Sequence, residues 1–297
     1  MTASEHGGAL APAAIEALLR ALRPKLHRYC ARMTGSVIDG EDVVQEALLK
    51  AMEALPAAGA IERPESWLFR IAHNAALDHL RRRAREEARR STEDPEMTLD
   101  PMSPTQNREI AAMSLRLFMR LPVAQRSSVI LMDVLGYSLE EIGGITAMSV
   151  PAVKAALHRG RTRLRELALE PEEAPPPLPP AERARLAAYI DRFNARDFDA
   201  LRDMLAEEVR LELVNHLRLK GRKEVSTYFH RYDEARNWRF SLGLIDRRPA
   251  ILVHDPARPE TPKYFVLLDW AEGKVIGIRD FLFAPYAIEG AEVVETR

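Results

Sequence analysis

Apolar residues recur at helical spacing through the first half of the chain, and short apolar runs replace them near its end. Two stripes have the spacing of amphipathic helices: Ile15, Leu18, Leu19 and Leu22, and then Val44, Leu48, Met52 and Leu55. After residue 181, one or two helices precede runs that Gly, Pro and Asp separate: RFSLGLIDRR, AILVHDP, KYFVLLDWAEG and KVIGIRDFLF. These runs predict an antiparallel sheet with helices packed on it, an α+β domain.

Two proline-bearing segments divide the chain. The acidic stretch STEDPEMTLDPMSP covers residues 91–104, and PEEAPPPLPP covers 171–180, where five prolines in six positions from Pro175 preclude helix and sheet. We therefore predict a multidomain fold with two all-α helical domains at 10–90 and 108–169 and an α+β domain at 181–290. Linkers are expected at 91–107 and 170–180.

Residues 137–165, YSLEEIGGITAMSVPAVKAALHRGRTRLR, have the pattern of a helix-turn-helix. The leading helix has an apolar stripe formed by Leu139, Ile142 and Gly143. Ser149 is a candidate N-cap, and Pro151 fits the first turn, so the second helix is expected to start near Val150. Its buried stripe is expected to contain Val153, Leu157 and Leu164.

Basic side chains lie mostly off that stripe: Lys154, His158, Arg159, Arg161, Arg163 and Arg165. Such cations can meet phosphates and base edges, so DNA is the first candidate partner. A solvated Arg-rich helix is the alternative, and the preceding helix and tight turn favour DNA.

A second basic stretch, RPESWLFRIAHNAALDHLRRRAREEARR, runs from Arg63 to Arg90. The expected buried stripe comprises Trp67, Leu68, Ile71, Ala72 and Ala75, which leaves Arg70, His73, Asn74, Asp78 and Arg81 on other faces. Residues 81–90 hold six arginines against two glutamates. Such a helix can follow a phosphate backbone, and its aromatic end can stack on an unpaired base, although Trp67 also fits a plain core position.

Composition sets few further limits. The net charge is -1 and the pI about 6.7, so DNA binding depends on local charge segregation. A single cysteine, Cys30, excludes an internal disulfide framework and a multi-cysteine zinc site, and no metal spacing is evident among the histidines. With no leader pattern or membrane span in the sequence, we expect a soluble cytoplasmic protein without metal or cofactor.

The order of these pieces resembles an extracytoplasmic-function (ECF) sigma factor of bacterial RNA polymerase. DGEDVVQEALLKAMEAL is followed by RPESWLFRIAHNAALDHLRRRAR, the acidic linker, LPVAQRSSVILMDVLGYSLEEI and the basic helix, over about residues 10–169. The resemblance implies a promoter-specificity subunit whose Asp42, Gln45 and Glu46 dock on the polymerase core. It also implies that the linker threads towards the active cleft of the polymerase.

The same resemblance implies two DNA-reading sets. The block from Glu62 to Arg82 would open and read the minus-ten element, and the helix-turn-helix would read the minus-thirty-five element. The DNA-binding residues implied are Arg63, Glu65, Ser66, Arg70, Asn74, Arg81 and Arg82, and then Lys154, His158, Arg159 and Arg161.

Three positions depart from the family pattern. Ala147 stands where the turn usually has Gly, so the backbone there must avoid positive φ or absorb strain. Ala155 and Ala156 occupy positions where many relatives have Ser and Arg. Their small side chains imply a promoter readout that depends on Lys154, His158 and Arg159, or weaker minus-thirty-five binding.

The last block begins ERARLAAYIDRFNARDFDALRDMLAEEVRLEL. Leu186, Ile190 and Phe193 form a helical stripe, Asp197 begins a second short helix, and GRKEVSTYF predicts a third. This order resembles the NTF2-like, SnoaL-like cone, in which helices close a curved sheet around a pocket. Candidate pocket residues are His216, Tyr228, His230, Trp238, Asp269, Trp270 and Asp280, and core packing or surface solvation is the alternative for each.

We therefore expect a sigma factor that performs no covalent chemistry and whose C-terminal domain regulates it by contacting the helical domains or the polymerase. A stand-alone helix-turn-helix regulator is the alternative, as is a sigma factor fused to a small-molecule-binding or isomerase-like domain. An anti-sigma partner is left open by the sequence.

Overall fold

The computed structural model describes residues 12–59, 61–88, 110, 113–170, 174–234 and 238–296. The chain forms two compact units, Met1–Glu172 and Glu173–Arg297. The predicted linker at 91–107 lies outside the described residues, as do the side chain of Ile15 and residues 171–173. None of the described helices is long and apolar enough to cross a membrane.

The first unit is helical. Its helices are α1 (Pro12–Thr34), α2 (Val37–Ala54), α3 (Pro64–Ala88), α4 (Leu115–Met119), α5 (Val123–Val129), α6 (Leu139–Thr146) and α7 (Val150–Ala168). A 3-10 turn, Leu55–Ala57, follows α2, and a π-helical turn, Ile130–Val134, continues α5. We refer to α1–α3 as the first helical group and to α4–α7 as the second helical group.

Capping side chains set where several of these helices begin. Ser36 caps α2 by accepting hydrogen bonds from the backbone N–H groups of Ile38 and Asp39. Ser138 and Glu141 form a reciprocal capping box at the start of α6. Ser149 accepts from Ala152 N at 3.4 Å, and α7 starts at Val150, so the predicted cap and helix start are both confirmed.

The two helical groups share one apolar core. Its buried members include Leu26, Val44 and Phe69 from the first group together with Ile130 and Leu157 from the second. A shared core means that the groups are held together by hydrophobic burial and not only by surface contacts. The division at 91–107 into two separate domains stays a prediction.

The second predicted stripe is wrong at one position. Val44 is buried, but Met52 is 56% exposed, and neighbouring Leu49 is 62% exposed. The buried face of α2 instead runs through Val43, Ala47 and Ala51. Small side chains suffice there because α1 and α2 approach closely at Gly40, where an added Cβ would lie 2.6 Å from the backbone of Ala31.

The second unit is an α+β domain, as predicted. Its helices are α8 (Pro180–Asn194), α9 (Phe198–Met204), α10 (Arg222–Ser226) and α11 (Tyr228–Glu234). Its strands are β1 (Leu205–Leu213), β2 (Leu217–Lys220), β3 (Arg239–Ile245), β4 (Arg248–Asp255), β5 (Arg258–Ala271), β6 (Lys274–Asp280) and β7 (Val293–Glu295), with a 3-10 turn at Pro285–Ile288. They form one sheet in the order β2-β1-β6-β5-β4-β3-β7.

The sheet is mixed, so the prediction of an antiparallel sheet is wrong for one pair. β1 runs parallel to β6, with Leu213 opposite Asp280, whereas the other described pairs are antiparallel. Parallel strands need a long connection between them, and here the chain passes through β2–β5 before β6 returns to lie beside β1.

Helices α8 and α9 pack on the sheet as expected. Leu186, Ile190 and Phe193 are all buried, and Asp197 caps α9 by accepting from Ala200 N at 3.1 Å. The Phe193 ring stacks on the Phe240 ring of β3 with centroids 4.1 Å apart. These contacts confirm the predicted stripe and the predicted start of the second helix. The predicted third helix is divided into α10 and α11.

Candidate nucleic-acid interface

The turn between α6 and α7 has a strained backbone. Ala147 ends α6 in the left-handed conformation, with φ 58° and ψ 29°. An L-residue with a Cβ is disfavoured in this region, and glycine is the usual solution. Of the two alternatives that the sequence left open, the structure adopts the strained one.

Helix α7 buries one face and leaves part of its basic face accessible. Val153, Leu157 and Leu164 are buried, which confirms the predicted stripe. Lys154 is exposed, and His158 and Arg159 are half-exposed. These three side chains lie where a partner can reach them.

Arg161 is differently placed from the other α7 cations. Its Nε donates to Asp133 Oδ2 at 2.9 Å and its Nη2 to Asp133 Oδ1 at 2.5 Å. The Asp133 side chain is fully buried. A bidentate pair of this kind fixes α7 against the π-helical turn, so the guanidinium is already engaged within the second helical group.

The start of α3 and the residue before it present polar side chains outward. Arg63, Arg70 and Asn74 are exposed, and Ser66 is half-exposed. Trp67 is half-buried and packs against the shared core. The positions of Arg70 and Asn74 agree with the expectation that they are better placed for external contacts than Trp67.

A cavity of about 360 Å³ opens beside these residues. Arg63, Ser66 and Arg70 line it from the first helical group, and Glu140 and Glu141 line it from α6. The complete lining is Ala58, Ile61, Glu62, Arg63, Ser66, Trp67, Arg70, Glu140, Glu141 and Gly144. The lining therefore includes both signs of charge: Arg63 and Arg70, the neighbouring Glu62, and two carboxylates from α6.

The arginines further along α3 differ in their partners. Arg82 Nη2 donates to Glu46 Oε2 at 2.7 Å, and Lys50 Nζ lies 2.8 Å from Glu46 Oε1. The hydrogen bond from Arg82 and the charge and hydrogen bond of Lys50 lower the pKa of the Glu46 carboxyl. Arg81 is exposed and pairs with Asp78 at 3.2 Å. Glu46 thus connects α2 to α3.

Helix α2 carries an exposed face that the sequence only partly indicated. Asp42 is exposed and Gln45 half-exposed, and the next residues on that side are Leu49 and Met52. The positions 42, 45, 49 and 52 recur at helical spacing and share one face. The apolar pair was missed because periodicity alone did not show which stripe of α2 is buried.

His73 is buried, contrary to the expectation that it faces away from the core. It is 6% exposed, and the Tyr29 hydroxyl oxygen lies 2.7 Å from its Nδ1, within hydrogen-bond distance. Burial lowers the pKa of the His73 imidazole to about 4. His73 is therefore a neutral core residue and an unsuitable DNA contact.

Two of the candidate pocket residues of the second unit are in direct contact. Tyr228 OH donates to Asp280 Oδ2 at 2.7 Å, so these two meet. Trp238 is half-buried and donates from Nε1 to the backbone oxygen of Tyr232 at 3.2 Å. The remaining candidates are exposed or half-exposed: His216, His230, Asp269 and Trp270.

Tyrosines that the sequence did not single out complete the surroundings of Asp280. Tyr232 OH donates to Asp280 Oδ2 at 2.8 Å and lies 3.0 Å from Tyr264 OH, while Leu282 N donates to Asp280 Oδ1. Burial raises the pKa of the Asp280 carboxyl more than the hydrogen bonds from Tyr228 and Tyr232 lower it. The carboxyl is fully enclosed and satisfied within the domain core.

Among the residues that the structure describes, no group of three or more His, Cys, Asp or Glu side chains is arranged to hold a metal ion. Cys30 is buried, and burial raises the pKa of its thiol.

Two family models match the helical part of the chain. Sigma-70 region 2 matches residues 18–86, and Sigma-70 region 4 matches residues 114–164. The first match spans most of α1–α3, and the second spans α6 and most of α7.

Several known proteins are similar to this chain. The chain is 32% identical to the ECF RNA polymerase sigma factor SigG of Mycobacterium tuberculosis over 219 residues, which cover 64% of this chain and 59% of SigG. It is also 32% identical to the ECF sigma factor SigM of the same organism, over 52% of this chain and 76% of SigM. The crystal structure of the M. tuberculosis ECF sigma factor SigJ aligns over 89% of this chain and 95% of that one, at 19% identity and a TM-score of 0.35.

Identity at this level across three quarters of a relative is evidence of common descent. The chain belongs to the extracytoplasmic-function family of RNA polymerase sigma factors.

Proposed function

We propose that this chain binds the core of RNA polymerase, directs it to specific promoters and so initiates transcription. The observation that supports this proposal is that one helical unit presents three separate surfaces: the outer face of α2, the polar start of α3 and the basic side of α7. A protein that only bound DNA would have no evident use for the first of these.

The outer face of α2 is the proposed polymerase-docking surface. It combines the polar residues Asp42 and Gln45 with the exposed apolar residues Leu49 and Met52. Exposed apolar side chains beside polar ones are typical of protein interfaces. Glu46, which is held by Arg82 and Lys50, contributes by fixing α2 against α3.

Promoter DNA is the proposed second partner. At the minus-ten element, Arg63, Ser66, Arg70 and Asn74 would contact melted DNA, with Trp67 positioning the start of α3. At the minus-thirty-five element, the reading residues would be Lys154, His158 and Arg159. Arg161 is assigned a positioning role because Asp133 already accepts hydrogen bonds from its Nε and Nη2.

The test is transcription from a random promoter library with purified core polymerase. The full chain and a chain ending at Glu170 are compared. Initiation by either form supports the proposal, and failure of both, together with no binding to core polymerase, would favour a stand-alone helix-turn-helix regulator. DNA binding should weaken steeply with salt, with a log-log slope of about -0.9 per neutralised phosphate on duplex DNA.

Docking has its own test. Leu49→Glu should weaken binding to core polymerase about tenfold or more, because it places a charge in an apolar contact. Leu169→Glu is the matched control, since Leu169 is 88% exposed and lies outside the proposed surface at the end of α7. Equal effects of the two substitutions would contradict the assignment.

The second unit is proposed to regulate the sigma activity. The regulatory role is favoured over catalysis because of the position of Asp280, the acid whose pKa is raised by burial. This carboxyl is fully buried and already accepts hydrogen bonds from Tyr228 and Tyr232. A general acid or base needs contact with its substrate. Promoter output that is identical with and without residues beyond Glu170 would refute regulation.

A further inference from the structure

Arg161 belongs to the same helical face of α7 as two of the proposed base-reading residues. Lys154, His158 and Arg161 stand at positions i, i+4 and i+7, which is the spacing of one face. By position alone, Arg161 would extend the basic side of α7 by one turn. Its hydrogen bonds to Asp133, from Nε at 2.9 Å and from Nη2 at 2.5 Å, direct the guanidinium to a buried carboxylate instead.

The Asp133 carboxylate lies inside the second helical group. Its side chain has no exposed surface, whereas the Arg161 side chain is 23% exposed. Burying a carboxylate costs free energy unless a partner of opposite charge binds it with good geometry. A free surface cation needs no such partner, so the buried acid is explained by a need to hold Arg161 in one orientation.

The backbone around this pair is built for close packing. Asp133 lies in the π-helical turn Ile130–Val134, which Leu135 N closes by donating to Ile130 O at 3.1 Å. Beside Arg161, a Cβ added at Gly160 would lie 2.8 Å from Val129 Cγ2 and 3.3 Å from Gln125 O. Helix α7 therefore approaches α5 closely next to the ion pair, and the two contacts together fix the position and rotation of α7.

Both effects of the pair matter for reading DNA. Contacts to phosphates add affinity for every sequence, whereas contacts to base edges discriminate between sequences. One more free arginine on this face of α7 would strengthen binding to all duplex DNA. Base-edge hydrogen bonds are directional, so they also require that α7 does not rotate about its axis.

From this arrangement we infer that Asp133 is a specificity-determining residue of the minus-thirty-five interface, which withholds Arg161 from DNA phosphates and fixes the rotation of α7. The inference rests on the proposed sigma function. Asp133 acts through Arg161 and does not touch DNA, so it is a positioning residue for the readers Lys154, His158 and Arg159.

DNA binding by the full chain in complex with core polymerase tests this inference. The probes are a promoter fragment selected from the random library and the same fragment with its minus-thirty-five element scrambled. Fluorescence anisotropy at several salt concentrations gives two quantities. The first is the specificity ratio, which is the Kd for the scrambled fragment divided by the Kd for the selected one. The second is the log-log salt slope on the scrambled fragment.

Asp133→Asn keeps the shape of the side chain but cannot hold the guanidinium as an ion pair. The specificity ratio should fall at least about fivefold, which is the discrimination of one lost base contact. The salt slope should become steeper by about 0.9, because the released Arg161 neutralises one more phosphate. A ratio or a slope that stays at the wild-type value would overturn the inference.

The double variant Asp133→Asn, Arg161→Gln separates the two effects. Its salt slope should return to the wild-type value because the cation is gone, while its specificity ratio should stay low because α7 is no longer fixed. A steep slope in the double variant would overturn the inference, since another cation would then cause it. A wild-type ratio in the double variant would also overturn it, and this result decides even where Asp133→Asn alone does not fold.

Glu166→Gln is the matched control because it makes the same change of charge on α7. Glu166 is 49% exposed and pairs with Arg163 at 3.0 Å, and exposed pairs of this kind contribute little. Its ratio and slope should equal those of the wild type, and changes as large as those of Asp133→Asn would overturn the inference. A wild-type chain that fails to bind core polymerase, or that does not prefer the selected fragment, would instead refute the proposed function.

Discussion

The burial of His73 should make the stability of the first unit depend on pH. Its pKa falls from 6.5 to about 4 in the folded state because burial disfavours the charged imidazolium. Between these two values the unfolded chain binds a proton that the folded chain does not. The contribution of the neutral, buried His73 to the free energy of unfolding is therefore fully present above pH 6.5 and is lost as pH falls towards 4.

The magnitude follows from the size of the shift. A change of about 2.5 pKa units corresponds to about 3 kcal/mol in the acid limit, at 1.36 kcal/mol per unit, and about 2 kcal/mol of it is lost between pH 7 and pH 5. Since His73 is only 6% exposed, screening by water takes little from this figure.

The assay is urea unfolding of the chain ending at Glu170, as wild type and as His73→Gln, at several pH values from 7 to 5. Gln does not titrate, and its side-chain oxygen can accept from Tyr29. The free energy of unfolding of the wild type should fall by about 2 kcal/mol more than that of the variant. Tyr29→Phe should lower stability at every pH but keep the wild-type slope, because burial and not the hydrogen bond causes the shift.

Two outcomes would refute this reasoning. Equal pH dependence of wild type and His73→Gln would mean that the imidazole is not buried in the neutral form. A Tyr29→Phe slope that matched His73→Gln would mean that the hydroxyl, and not burial, controls the titration. Direct titration of the His73 ring by NMR should have its midpoint near 4.

Three further predictions concern stability, measured by denaturant unfolding. Gly40→Ala should lower the free energy of unfolding by about 1–3 kcal/mol, because the new Cβ would lie 2.6 Å from backbone atoms. Gly144→Ala should be neutral or stabilising, because no atom lies within 4 Å of the new Cβ. Similar effects of the two substitutions would contradict the packing argument. Ala147→Gly should stabilise by about 0.5–1 kcal/mol by relieving a φ of 58°, and a loss of stability would refute the strain. Asp280→Asn should become more stable relative to the wild type as pH rises above 3.8. The pKa of Asp280 is raised in the folded state, so the wild type loses free energy of unfolding as its carboxyl ionises, whereas Asn does not titrate. A stability difference between the two proteins that does not change with pH would refute this prediction.

Local signals in the sequence predicted much of the fold. The N-cap at Ser149, the start of α7 and the buried residues Val153 and Leu157 all follow from bonds and contacts within one or two turns. The predicted helical stripe through Leu186 and Phe193 has the same origin. Such features depend on neighbours in the chain, and so they can be read from it.

Other features depend on partners far away in the chain. Met52 was expected to be buried and is exposed, whereas His73 was expected to face outward and is buried. Helices α2 and α3 each have more than one apolar face, and packing against the neighbouring helices determines which face is buried. The parallel pairing of β1 with β6 is another long-range choice. Periodicity marks a candidate face but does not name its partner.

The sequence by itself determined the helix-turn-helix, its caps, its basic side and the order of motifs that marks the family. Only the tertiary structure decided that Arg161 belongs to Asp133, that Leu49 and Met52 face outward, and that Tyr137 reaches Glu65. The physical reason is distance along the chain. Helical periods and caps are set by residues three or four positions apart, whereas Glu65 and Tyr137 are 72 positions apart and meet only when a shared core forms.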